Sequence, residues 1–127
     1  PVHAANPFHD TMAMANLEKY PGYEGPLEVT GYVTLAQNEE NHVGLFGRMH
    51  GLESEATGGV HVHEGKTCAG SGDHFYDNSG NAADPWADIT YSASRHGSAT
   101  VEANVPGFSL DKKASPPLLV VVKHALV

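Results

Sequence analysis

Two histidines one residue apart, His61 and His63, sit in the run Gly58-Gly59-Val60-His61-Val62-His63-Glu64-Gly65. On a β-strand, residues i and i+2 share a face, so both imidazoles point one way while Val60 and Val62 point into a core. That spacing lets two ring nitrogens reach one metal ion without bending the backbone. The plain alternative is a polar strand face with two surface histidines, because a His-x-His pair alone is a weak motif. The chain holds nine histidines, a high count for its length, so some are incidental. Among these, His42 and His50 fall on the wet face of an alternating strand, and His3, His9 and His96 read as surface residues.

The elements that must position the pair are strands. Leu27 to Gln37 is the clearest, with Leu27, Val29, Val33 and Leu35 alternating against Glu28, Thr30, Tyr32 and Thr34. Asn38 to Asn41 reads as a polar hairpin turn, and Val43 to Leu52 as the returning strand. After the histidine strand comes a glycine-rich and polar stretch, Gly65 to Ala83, with no regular period. A loop of that length inside a compact domain is usually functional or pinned. Asp84-Pro85-Trp86 closes it. Asp88 to Ser94, Ala99 to Val105 and Leu118 to about Ala125 read as further strands. At the amino terminus, Asp10 would cap a helix ended by Pro21, whereas the alternation of Met12, Met14 and Asn16 with Ala13, Ala15 and Leu17 suits an edge strand, which is the preferred reading. The expected organisation is a segment 1–20, an extension or edge strand, followed by one β domain over 21–127. Six or seven short strands with turn signals between them predict an all-β Greek-key barrel or sandwich.

Composition narrows the function classes. At 127 residues the chain is long enough to bury one core unaided. Its net charge of −8, with seven Lys and Arg, argues against nucleic acid and against an anionic membrane surface as partners. No run approaches the roughly 18 to 20 apolar residues of a membrane span. With no initiator Met and no signal-peptide pattern, the chain reads as a mature or trimmed form. A single cysteine, Cys68, cannot form an internal disulfide.

Taken in order, Gly59-Val60-His61-Val62-His63-Glu64, then Cys68, then Asp73-His74-Phe75, then Val121-Val122-Lys123-His124 resemble the copper/zinc superoxide dismutase family. The resemblance covers about Leu27 to His124, and only its first motif is specific. It implies a flattened Greek-key β-barrel with copper held by His61, His63, His74 and His124, and it gives His74 the catalytic role of the histidine that releases the metal and takes up a proton. The family usually places its last histidine directly after Val-Val, whereas Lys123 intervenes here; alternation still sets His124 on the face of Val122. No histidine lies between His74 and Asp84, so the usual zinc ligands are missing and zinc is not expected. The chain is therefore most similar to the copper-only branch, and to its superoxide dismutase-like repeat domains in Asp84-Pro85-Trp86 and Tyr20-Pro21-Gly22-Tyr23.

The sequence ends at Val127, before the family's final strand, with its guiding arginine and the second cysteine that would pair with Cys68. Either the sequence is incomplete or the domain lacks those parts. Glu64 follows His63 but is turned away from the metal face by alternation, and Lys66, Arg95, Lys112, Lys113 and Lys123 read as solvated surface cations. Two functions follow. One is a copper-dependent dismutase acting on superoxide; the other is a non-catalytic subunit that reuses the fold and meets other proteins through its amino-terminal extension. A copper carrier is a weaker third. The resemblance also implies an extracellular or organellar-lumen location.

Overall fold

The computed structural model describes residues 12–39, 42–65, 67–68, 70, 72–77, 82–107, 110 and 119–124, the last segment by its backbone. Among the described residues there are seven strands: β1 (Met12–Asn16), β2 (Thr30–Glu39), β3 (His42–His50), β4 (Thr57–His63), β5 (Thr90–Ser92), β6 (Ala99–Pro106) and β7 (Leu119–His124). They form two antiparallel sheets, one in the order β1-β2-β3-β6 and the other in the order β5-β4-β7. The all-β expectation is met, and the described strands form no closed barrel.

Alternation explains the core. Val33 and Leu35 of β2, Val43, Leu45 and Met49 of β3, and Val101 and Val105 of β6 are buried against Val60 and Val62 of β4 and Tyr91 of β5. Each such side chain contributes about 1.5–3 kcal/mol when fully buried. This inner surface fixes which way β4 faces. With Val60 and Val62 both wholly buried, His61 and His63 must lie on the outer side, where both are half-buried.

Two elements depart from the sequence expectation. The alternation begins at Leu27, but pairing begins at Thr30, opposite His50 at the end of β3, so residues 27–29 have no β3 residue to pair with. The strand expected over Asp88 to Ser94 shrinks to the three residues of β5. Asp88 instead closes a short 3₁₀ helix, Pro85–Asp88, started by Asp84, whose side chain accepts a bond from the Trp86 backbone N–H. An aspartate cap followed by proline at the first helical position favours that turn over an extended chain. At the amino end, β1 is the edge strand beside β2, with Met12 and Met14 exposed. Residues 1–11 and 111–118 lie outside the described residues.

Candidate metal centre

Strand β4 brings only two imidazoles to the site; the loop after it supplies the third. The backbone N–H of Glu64 bonds the carbonyl of Asp73 at 3.1 Å, and the N–H of Phe75 bonds the carbonyl of Val62 at 2.7 Å. Residues 73–75 thus run antiparallel to the end of β4, and His74 stands directly across from His63. One ligating nitrogen from each of His61, His63 and His74 lies within 4.8 Å of the others, a group suited to a metal ion. The rings of His61 and His74 stack with centroids 4.3 Å apart, and His63 meets His74 edge-on at 4.9 Å. Two nitrogens bound to one metal at about 2.0–2.1 Å cannot be more than about 4 Å apart. The nitrogens would have to draw together by up to about 1 Å to share one ion.

Two of the rings are held by their Nδ1 atoms. His63 Nδ1 is 2.9 Å from the carbonyl oxygen of Gly72, and His74 Nδ1 is 2.7 Å from Asp84 Oδ2. A carbonyl and a carboxylate can only accept, so each Nδ1 carries the hydrogen and each Nε2 is the nitrogen turned to a metal. The other oxygen of Asp84 accepts from the Trp86 backbone N–H at 2.8 Å, which fixes the carboxylate. Trp86 in turn is wholly buried and donates its indole N–H to the Phe75 carbonyl at 2.8 Å. Asp84 and Phe75 are therefore both tied to the buried Trp86. His61 is placed differently: its ring lies over Gly59, and any Cβ there would collide with Nε2. Glycine at 59 is the space that the imidazole occupies.

The fourth expected ligand, His124, stands apart in register. Its backbone is opposite Gly58, while His61 is opposite Val121 and His63 opposite Leu119. The row containing the two histidines therefore continues through Val121 and Leu119, and position 124 falls in the row of Gly58, Val60 and Val62. The side chain of His124 lies outside the described residues, as do Lys66, Lys112 and Lys113. Elsewhere His42 is half-buried on β3, His50 is exposed with Nδ1 3.1 Å from Ser98 Oγ, and His96 is exposed in the β5–β6 turn. Glu64 lies beside Gly72. Cys68 is a free, half-buried thiol whose carbonyl accepts a bond from the Tyr20 hydroxyl at 3.2 Å.

Sequence reasoning missed the partnership of Asp84 with His74. The signal was the Asp-Pro-Trp run itself, an aspartate cap ahead of a large apolar anchor, but nothing local says which imidazole it meets. Among the described residues no helix is long and apolar enough to cross a membrane. Comparison of the chain with protein-family models finds no match, and comparison with curated proteins finds none either.

Proposed function

We propose that this chain is a copper-binding domain of the superoxide dismutase kind, converting superoxide to oxygen and hydrogen peroxide at a mononuclear histidine site. The observation that carries the reading is the convergence of His61, His63 and His74, two of them with Nδ1 already committed to an acceptor. Neutral imidazoles suit copper, which heads the divalent affinity order. Copper, when bound, supplies a one-electron couple, so that one superoxide is oxidised and a second is reduced with uptake of two protons.

The chain's own residues contribute orientation and proton handling. His63 Nε2 and His74 Nε2 are aimed by the bonds at the opposite side of each ring. His74 holds its Nδ1–H on the Asp84 carboxylate, which leaves Nε2 as the ring atom that would take up a proton. The strand orders β1-β2-β3-β6 and β5-β4-β7 support a Greek-key arrangement of the family's kind. His124 is a fourth ligand only by the sequence resemblance, and the reading rests on the three imidazoles that converge.

A second reading rests on a different observation. Met12 and Met14 are 65% and 66% exposed on an edge strand, which favours a subunit that docks through its amino-terminal segment. Metal content of protein purified from its native source, with a superoxide assay, separates the two. About one copper per chain, as one such site would hold, and activity lost in His74→Ala with the fold retained, is the expected outcome. Absence of copper from protein never exposed to a chelator would sink the dismutase reading. If assembly then weakens on deletion of residues 1–19, the second reading takes its place.

A further inference from the structure

A groove separate from the metal centre lies where the β5–β6 hairpin passes from one sheet to the other. It is an open surface depression of about 480 Å³. Its floor is apolar, Ala93 and Ala99, both largely buried. Its walls carry the hydroxyls of Ser92, Ser94, Ser98 and Thr100, and Arg48 and His50 stand on the β3 side, with Arg48 directly opposite Thr100. No carboxylate lines it, in a chain of net charge −8. Glu102, two residues along β6 from Thr100, lies outside it. Among the described residues Arg48 has no carboxylate partner within ion-pair distance.

The hydrogen bonds already made leave the groove rich in donors. Ser94 Oγ accepts from the backbone N–H groups of His96 and Ser98, each at 3.2 Å, so its remaining capacity is its own hydrogen. Ser98 Oγ and His50 Nδ1 are 3.1 Å apart. If the imidazole donates, the serine hydrogen is left over; if the serine donates, the hydrogen on His50 Nε2 is left over. Either tautomer leaves one donor. A guanidinium with these donors, and no acid among the lining residues, selects an acceptor-only ligand of negative charge. The volume is too large for a bare oxyanion and the floor is apolar.

We infer that this groove binds a tetrahedral oxyanion ester, the phosphate or sulfate monoester of a sugar-sized alcohol, with Arg48 and the Ser98–His50 pair on the oxyanion. The site does not depend on the metal centre: Ser92 is opposite Thr57, at the other end of β4 from His63, roughly 20 Å along the strand at about 3.3 Å per residue.

The test is a two-dimensional amide NMR titration with glucose 6-phosphate, glucose 6-sulfate, glucose and potassium chloride at matched ionic strength. Saturable shifts confined to residues 48–50 and 92–100 are expected with one or both esters and not with glucose or chloride, and the tighter ester identifies the oxyanion. Arg48→Gln, at an exposed position, is expected to weaken binding about tenfold, the loss of one charged hydrogen-bonding group. Ser98→Ala is expected to weaken it less, and Lys19→Gln and His61→Ala to titrate as wild type. Shifts that glucose or chloride reproduces, or an Arg48→Gln protein that binds as wild type does, would overturn the proposal.

Discussion

Strands β3 and β4 each carry two histidines on the face turned from the core, and the difference between those faces lies in what stands beside them. His42 and His50 are eight positions apart, so neither reaches the other, and the neighbour that His50 does bond is a hydroxyl. His61 and His63 are two apart, with a loop folded back to set a third imidazole across from them. The β4 face also has acceptors behind its rings: the Gly72 carbonyl for His63 and the Asp84 carboxylate for His74. Histidine count does not make a metal site. Convergence and a committed Nδ1 do, because they set ring direction before the ion arrives.

The strongest way to break this comparison is to remove one histidine from each face. His61→Ala is expected to lower Cu(II) affinity at least about 100-fold, since one of three imidazole donors is lost, whereas His42→Ala leaves it unchanged. Calorimetric Cu(II) titration of both proteins, with far-UV circular dichroism to verify folding, decides the matter. Equal losses would mean that the β4 cluster is not the binding site.

A smaller effect tests the acceptors rather than the ligands. Asp84→Asn keeps a side chain able to cap the Pro85–Asp88 turn but removes the charge beside His74. Metal affinity is expected to fall about 10- to 100-fold, with the melting temperature nearly unchanged. A variant that binds as wild type would show that the cluster needs no carboxylate behind it.

The smallest effect concerns the interior face that aims the histidines outward. Tyr91 is buried in the core, and among the described residues its hydroxyl has no hydrogen-bond partner. Burial, then the nearby charge of Glu53, pushes its pKa above the ordinary 10.0. The folded state therefore holds this proton more tightly than the unfolded chain does. The resulting stability is full below the unfolded value and is lost as pH rises through the folded one. Tyr91→Phe is expected to change stability by no more than about 1 kcal/mol at neutral pH and to flatten the decline above pH 10. Urea unfolding of both proteins across that range measures it; parallel curves would contradict the assignment.

Much of this molecule follows from alternation. The apolar positions of β2, β3, β4 and β6 were legible because a half-buried strand must place every second residue in the core, and the same rule set His61 and His63 on one outer face. The edge strand at Met12–Asn16 was legible in the same way, against a competing helix. What alternation cannot report is where a strand finds no partner, and so Leu27 to Val29 stayed outside β2.

Tertiary structure alone decided the rest. His74 lies eleven residues after His63 in sequence, in a stretch without period, and became its neighbour through two backbone hydrogen bonds to the end of β4. Resemblance pointed to His74; geometry supplied Asp84. The register of β7, which sets position 124 opposite Gly58 instead of a histidine, depends on which strand edges meet, and no local pattern encodes that. Side-chain type and spacing determine which residues can share a face. Which faces and loops then converge is settled by long-range pairing and packing, since those interactions join residues that the chain itself keeps far apart.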